Sequence, residues 1–119
     1  MHRIKIINQA LRQRYPSGED PFQMVTRLAE ECGELAAEVN HFEGSGIKRQ
    51  KLGEPDPRKL AKEVQDVIRC ALQIATYYDV EAELEALIDS AEQRALRYLQ
   101  TAQDKDWDRP KDDNASKTA

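Results

Sequence analysis

The sequence is poor in residues that interrupt helices and in residues that fill large cores. Its 119 residues include five glycines, five prolines and one tryptophan, and aromatic residues make up only 6%. It has two cysteines, Cys32 and Cys70, and their spacing fits neither a disulfide framework nor a set of metal ligands. Because free cysteines are usually buried, we expect both to be reduced core thiols.

Long apolar runs and an excess of basic residues are also missing. No apolar run approaches the roughly 20 residues of a membrane span, and the N-terminal segment lacks the apolar core of a signal peptide. The formal charge of −4 argues against a general nucleic-acid-binding protein. We therefore expect a cytoplasmic protein with neither a membrane nor a nucleic acid as its partner.

Helical periodicity is the strongest positive signal in the chain. Apolar residues recur at steps of three and four in four segments, which predicts four amphipathic helices. The first covers about residues 3–15, and the fourth follows a short break at Tyr78-Asp79. The second and third each begin at an Asp-Pro pair, at 20–21 and 56–57, where aspartate caps the helix and proline takes its first position.

These features predict an all-α fold, a four-helix bundle-like domain over residues 1–103. Hydrophobic residues make up 39% of the chain and charged residues 34%, which suits helices with narrow apolar stripes. A core this thin predicts that further apolar surface is buried against other copies of the chain, in a homodimer or homotetramer. Residues 44–55 are interpreted as a polar loop, and residues 104–119 as a disordered polar tail.

Two short acidic rows lie beside the apolar stripes of the second and third helices. Glu31 and Glu34 are three residues apart, as are Glu63 and Asp66, so each pair shares a helix face. If the two helices pack through their stripes, the four carboxylates face each other at a considerable electrostatic cost. Either several are protonated or a cation holds them together, and such oxygen ligands suit Mg²⁺ or Mn²⁺.

Two other interpretations of these residues remain open at this point. Glu-x-x-Glu is common on soluble helices, where it usually marks a solvated face. The segment Glu38-x-x-His41 also fits one element of a di-iron helical bundle. A full di-iron site needs that element twice, however, and the only other histidine is His2.

Residues 28–36, Leu-Ala-Glu-Glu-Cys-Gly-Glu-Leu-Ala, and 60–68, Leu-Ala-Lys-Glu-Val-Gln-Asp-Val-Ile, together resemble a known family. They are similar to the MazG-like all-α nucleoside triphosphate pyrophosphohydrolases, whose mark is Glu-Glu-x-x-Glu, a spacer, and Glu-x-x-Asp. The resemblance covers about residues 21–78. It implies hydrolysis of a (deoxy)nucleoside triphosphate to the monophosphate and pyrophosphate, which would suit the cleansing of nucleotide pools.

The resemblance also implies roles for individual residues. By matched position, Glu31, Glu34, Glu63 and Asp66 would ligate Mg²⁺, with Mn²⁺ as a substitute. Glu30 matches the first glutamate of the motif, which would hold a further metal ion or orient the attacking water.

Residues that would contact the substrate are implied less directly. His41 follows the acidic row of the second helix, and Lys48 and Lys51 lie in the basic loop after it. Some nucleotide-specific relatives carry a lysine and an asparagine one turn apart on the fourth helix, and this chain lacks that pair. Arg94 is the candidate to supply the positive charge, so the resemblance does not fix the preferred nucleotide. The alternative function is a non-catalytic helical module for oligomerisation or nucleotide sensing.

Overall fold

The computed structural model describes residues 1–18, 20–44 and 47–101, and all regular structure in these ranges is helical. The helices are α1 (His2–Arg14), α2 (Pro21–Phe42), α3 (Ile47–Leu52), α4 (Pro57–Tyr77) and α5 (Glu81–Thr101), with a 3₁₀ turn at Pro16–Gly18. The predicted all-α class is confirmed for these residues, and the predicted tail at 104–119 lies outside them. Among the described helices, none has the length and apolarity needed to cross a membrane.

The two Asp-Pro pairs start their helices as the sequence predicts. The Asp20 carboxylate accepts a hydrogen bond from the backbone N–H of Phe22 at 2.8 Å, and Asp56 accepts one from Arg58 at 2.9 Å. The hydrogen bond from Arg58 lowers the pKa of Asp56 because it stabilises the ionised carboxylate. These caps satisfy backbone donors at the ends of the two long helices that carry the acidic rows.

The connection between these two helices differs from the prediction. Residues 44–55 were expected to form a polar loop, but α3 occupies Ile47–Leu52, so that prediction is wrong for the middle of the segment. The six residues of α3 include neither glycine nor proline, and lysine, arginine, glutamine and leucine all favour helix. Gly44 and Gly53 adopt positive φ angles of 72° and 75°, a conformation that glycine tolerates, and so flank this short helix with breaks.

Residues Met1–Val80 form one compact unit, and the segment that begins at Glu81 belongs to a second. In the first unit, α4 packs against both α2 and α1, and α3 packs against α2. The side-chain amide of Asn8 donates a 3.0 Å hydrogen bond to the carbonyl of Arg69, which joins α1 to α4. In the second unit, the first turn of α5 contains Glu81 and Glu83, whose charges favour a helix N-terminus.

The apolar and small residues of α2 lie on two faces of the helix, one half-buried and one exposed. Leu28 and Leu35 are half-buried, whereas Cys32 is exposed. The prediction of a core thiol is therefore wrong for Cys32 and confirmed for the buried Cys70. The exposed residues with small or apolar side chains form a row that we call the outer α2 stripe: Phe22, Val25, Ala29, Cys32, Ala36 and Val39.

The buried face of α4 lies on the same side of the helix as its acidic row. Val64 and Ala71, seven residues apart in the apolar period of α4, are exposed, while Cys70 and Gln73 are buried. Cys70 follows Asp66 by one turn and Gln73 follows it by two, so all three lie on one side of the helix. The contact between α2 and α4 therefore includes the acidic rows rather than passing beside them.

Candidate metal centre

The acidic rows of α2 and α4 meet where the two helices pack against each other. Glu31 approaches Asp66, while Glu34, one turn later on α2, interacts with Glu63, one turn earlier on α4. Residues three apart on a helix share one face, so these contacts require both rows to face the interface between α2 and α4. The structure thus brings the two Glu-x-x-Glu and Glu-x-x-Asp segments together across the helix interface.

Three of the four predicted metal ligands form a compact group, which we call the carboxylate cluster: Glu31, Glu63 and Asp66. One carboxylate oxygen from each lies within 4.8 Å of the other two, and all three residues are half-buried. At such separations like charges repel strongly, and the repulsion grows as water is excluded. The cluster therefore requires protons or positive charge to be tolerated.

Two oxygens of the cluster have no partner. The Oε2 atoms of Glu31 and Glu63 are buried, and neither has a hydrogen-bond donor among the described residues. The Oε2 atom of Glu38, on α2 about two turns beyond Glu31, is in the same situation. Buried carboxylate oxygens without donors are costly, so these atoms mark positions where a positively charged ligand would stabilise the protein.

The pKa of Glu63 reflects the repulsion within the cluster. Desolvation raises the pKa of Glu63, and the neighbouring charge of Glu34 raises it further. The nearby carboxyl groups of Glu34 and Glu31 act in the same direction, while the positive charge of Lys62 opposes them. Glu63 thus holds a proton more readily than a free glutamate does, as expected for a desolvated carboxyl beside other carboxylates.

Asp66 differs from the two glutamates because it already has positive partners. The ammonium of Lys62 contacts Oδ2 at 2.8 Å, and the Nε atom of Arg69 lies 3.8 Å from Oδ1. The Asp66 and Arg69 side chains are only 17% and 14% exposed, whereas Lys62 is 65% exposed. The hydrogen bond to Asp66 raises the pKa of Lys62, and the charges of Asp66 and Glu63 add to the effect. Lys62 and Arg69 thus offset part of the negative charge of the cluster.

The donor set fits a hard divalent cation. Three carboxylates from two helices converge, two of them have an unpartnered buried oxygen, and no nitrogen or sulfur ligand belongs to the group. Mg²⁺ and Mn²⁺ prefer oxygen ligands, and Mg²⁺ commonly keeps several waters beside a few carboxylates. The cluster therefore has the chemistry of a partial coordination shell that water or phosphate oxygens would complete.

The two other glutamates assigned to the site are more open to solvent. Glu34 is exposed, lies outside the group within 4.8 Å, and joins it through its interaction with Glu63. Glu30 is exposed on α2 next to Glu31. Because successive helix residues point about 100° apart, Glu30 faces a different direction from Glu31.

His41 is buried within the first unit rather than exposed beside the acidic row. Its Nε2 atom lies 2.8 Å from the carbonyl oxygen of Gly53, and since a carbonyl only accepts, Nε2 donates this hydrogen bond. The contact connects the end of α2 to the residue that follows α3. The geometry thus gives His41 a role in holding the α2–α4 connection, and its contact with a substrate stays a prediction.

The basic candidates lie on two different elements. Lys48 and Lys51 belong to α3; the side chain of Lys51 is exposed, and that of Lys48 lies outside the described part of the chain. Arg94 is half-buried on α5, in the second unit. Their contacts with a substrate stay predictions.

Sequence reasoning missed the two cations of Asp66. Lys62 precedes Asp66 by four residues and Arg69 follows it by three, spacings that place opposite charges together on a helix. That signal was available in the sequence. By contrast, nothing in the sequence indicated the cavity of about 260 Å³ lined by Arg12, Met24, Gln73, Thr76 and Tyr77, because it forms where three helices meet.

Comparison with known proteins gives one informative likeness. Over 89 residues the chain is 30% identical to the uncharacterized protein YpjD of Bacillus subtilis (strain 168), a match that covers 75% of this chain and 72% of that protein. No protein-family model matches the chain. No solved structure matches it significantly.

Proposed function

This chain belongs to the family of YpjD, an uncharacterized protein of Bacillus subtilis, and from its own carboxylate cluster we propose that it is a Mg²⁺-dependent nucleoside triphosphate pyrophosphohydrolase. The products are the nucleoside monophosphate and pyrophosphate. The proposal includes (deoxy)nucleoside triphosphates as substrates, a role in cleansing nucleotide pools, and therefore a cytoplasmic location. Its support is the convergence of Glu31, Glu63 and Asp66 within 4.8 Å, together with the resemblance of their segments to MazG-like enzymes.

The unpartnered oxygens are the main structural support for this proposal. An acidic helix face that only meets solvent has its carboxylates spread apart and hydrated, whereas here the Oε2 atoms of Glu31 and Glu63 are buried without donors. Their position between two packed helices is hard to explain by solubility alone. A cation-binding role gives these atoms the partner that they lack in the described part of the chain.

In the proposed enzyme, Glu31, Glu63 and Asp66 would hold Mg²⁺, and Glu34 would complete the set from the exposed side of the cluster. Mg²⁺ held there would offset the negative charge of a triphosphate and polarise its phosphorus–oxygen bonds. This arrangement lets a chain with a net charge of −4 bind a strongly acidic substrate. The two helices contribute rigid positions, which favours one orientation of the phosphate chain.

The proposed reaction is attack by water on the α-phosphorus. The new bond joins the water oxygen to the α-phosphorus, and the bond from that phosphorus to the α,β-bridging oxygen breaks, so pyrophosphate leaves with the electron pair. A base must take the proton of the attacking water. We assign this role, or the orientation of the water, to Glu30, whose carboxylate is exposed next to Glu31.

The remaining predicted contacts are secondary to this proposal. Lys51 on α3, with Lys48 in the same short helix, would bring positive charge to the phosphates, and Arg94 would do so from α5. His41 is the weakest of the four because its Nε2 atom already donates to Gly53.

The direct test is product analysis. The purified chain, freed of metal with a chelator, is incubated with a panel of canonical and modified nucleoside triphosphates, with and without Mg²⁺. We expect equimolar monophosphate and pyrophosphate from at least one nucleotide, and only when Mg²⁺ is present. Release of orthophosphate and the nucleoside diphosphate instead would contradict cleavage between the α and β phosphates. Absence of turnover throughout the panel would contradict the proposed enzymatic activity.

Thermal melting of the same samples tests the alternative function, a nucleotide-sensing or structural module. A ligand that binds only the folded state raises its thermal midpoint. A rise with Mg²⁺ and nucleotide but without turnover would indicate a sensor. No rise in the thermal midpoint with Mg²⁺ or with nucleotide would indicate a structural module.

We also propose that the outer α2 stripe packs against a second copy, giving a homodimer or homotetramer. Phe22 is 82% exposed and Val25 is 55% exposed, and the six residues of the stripe follow one another at steps of three and four. A long helix with such a row of exposed apolar and small residues is suited to packing against another helix.

Replacing Val25 with aspartate is expected to dissociate the oligomer, because each interface would then bury an unpaired charge. Sedimentation equilibrium measures the mass, and circular dichroism checks that the helices persist. Gln23→Asp, an exposed neighbour on another face of α2, introduces the same charge and should leave the mass unchanged. A monomeric wild type at micromolar concentration would contradict the interface.

A further inference from the structure

The ion pair between Lys62 and Asp66 occupies a carboxylate that the proposed function assigns to the metal. The ammonium nitrogen lies 2.8 Å from Oδ2 of Asp66, which is the distance of a charge-assisted hydrogen bond. Asp66 is nevertheless part of the cluster whose oxygens lie within 4.8 Å of one another. A cation bound to the cluster and the Lys62 ammonium therefore compete for the same carboxylate.

The two partners of Asp66 differ in their freedom to move. Arg69 is 14% exposed and lies 3.8 Å from Oδ1, so its guanidinium is held within the protein. Lys62 is 65% exposed on a flexible four-carbon side chain, so its ammonium can leave Asp66 and be hydrated at little cost. The partner that can exchange is Lys62, and the partner that stays is Arg69.

We propose that Lys62 is an exchangeable counter-ion of the carboxylate cluster. Its ammonium neutralises Asp66 while no divalent cation is bound, leaves when the cation binds, and then pairs with a phosphate oxygen of the bound substrate or product. Arg69 holds the Asp66 carboxylate in position during the exchange. This inference rests on the proposed function, because it takes the cluster as the cation site.

Two features of the structure support an exchange rather than a static ion pair. The Oε2 atoms of Glu31 and Glu63 remain without donors although the Lys62 ammonium contacts Asp66 in the same cluster. Lys62 therefore neutralises only one of the three carboxylates. A lysine is also a point charge with three donors, which suits either a carboxylate or a phosphate. No covalent bond forms or breaks: the two positive charges of the divalent cation replace the single charge of the ammonium, in a cluster of three carboxylates.

The test uses Mn²⁺ alone as the first probe, with binding measured from the electron paramagnetic resonance signal of the free ion. K62M should bind Mn²⁺ about three- to tenfold more tightly than the wild type, because a partly buried ion pair no longer has to break. K62R retains the charge and should bind as the wild type does. K59M is the matched control: Lys59 has the same spacing to Glu63, and the described residues show no ion pair between them.

The second probe is inorganic pyrophosphate in the presence of saturating Mn²⁺, measured by isothermal titration calorimetry. Here K62M should bind about three- to tenfold more weakly, because the released ammonium is missing from the phosphate site. Opposite changes with the two probes are not expected from a residue that only stabilises the fold. Circular dichroism confirms that each variant retains its helices.

The outcomes separate this inference from the proposed function. Equal Mn²⁺ affinity in wild type and K62M, the same gain in K59M, or unchanged pyrophosphate binding would each overturn the role of Lys62 while leaving the metal site intact. Absence of Mn²⁺ binding in both wild type and K62M would overturn the metal site and, with it, this inference.

Discussion

Replacing Glu63 with glutamine is expected to abolish pyrophosphate release while raising the thermal midpoint of the metal-free protein. Glutamine has nearly the same shape but no charge, so it removes a proposed ligand and also one source of repulsion in the cluster. Loss of the transition-state stabilisation that a metal provides, worth several kcal/mol, corresponds to a fall in kcat/KM of about a thousandfold. Stability and activity should therefore change in opposite directions at this one position.

The sign of the stability change follows from the pKa of Glu63, which desolvation and the charge of Glu34 raise. A raised carboxyl pKa means that the folded state binds a proton more readily than the unfolded state does. Stability therefore increases as the pH falls through the raised pKa towards the ordinary value of a glutamate, and it is lost again as the pH rises through the raised pKa. In E63Q this gain on acidification should be smaller than in the wild type.

Differential scanning calorimetry between pH 7 and pH 5, with and without Mg²⁺, measures both effects. Mg²⁺ should raise the midpoint of the wild type at pH 7 and have little effect on E63Q. Glu85→Gln, which removes an exposed charge from α5, is the matched control and should retain the wild-type response to Mg²⁺. If E63Q turned over nucleotide at the wild-type rate, the assignment of Glu63 as a ligand would be wrong.

The candidate site was predictable from the sequence to the extent that it depends on helix geometry. Glu31 and Asp66 could be assigned to facing rows because a three-residue step keeps two side chains on one face. Which oxygens lack partners could not be predicted, since it depends on how far α2 and α4 are rotated about their axes. Lys62 was overlooked although its spacing to Asp66 is a local signal, because an exposed lysine on a helix usually indicates solvation.

The fold was predictable where one local signal determined the outcome. The caps at Asp20 and Asp56 fix two helix starts, and the structure contains both. The rotation of α2 was not predictable in the same way, because its apolar and small residues cover more than one face and Cys32 fits the pattern as well as Leu35 does. Packing against α4 selects the face of Leu35, and this choice depends on residues far away in sequence. The short helix α3 was missed because a polar composition was interpreted as a loop.

The largest expected effect on stability comes from Met24, which is only 2% exposed. It lines the cavity of about 260 Å³ together with residues of α1 and α4, so it lies where all three long helices of the first unit meet. Met24→Ala should lower the free energy of unfolding by about 2–5 kcal/mol, the usual cost of truncating a buried methionine. We place the effect in the upper half of that range, because an adjoining cavity leaves fewer side chains able to fill the space.

Urea unfolding monitored by circular dichroism in the absence of divalent cations measures this loss, with the denaturant slope as a check on the two-state assumption. Met24→Leu nearly conserves the volume and should cost less than about 1.5 kcal/mol, so it serves as the control for the loss of packing. A loss below about 1 kcal/mol in Met24→Ala would contradict the close packing of α2 at this point. Since the same packing determines how Glu31 faces Asp66, such a result would also weaken the geometric basis of the metal site.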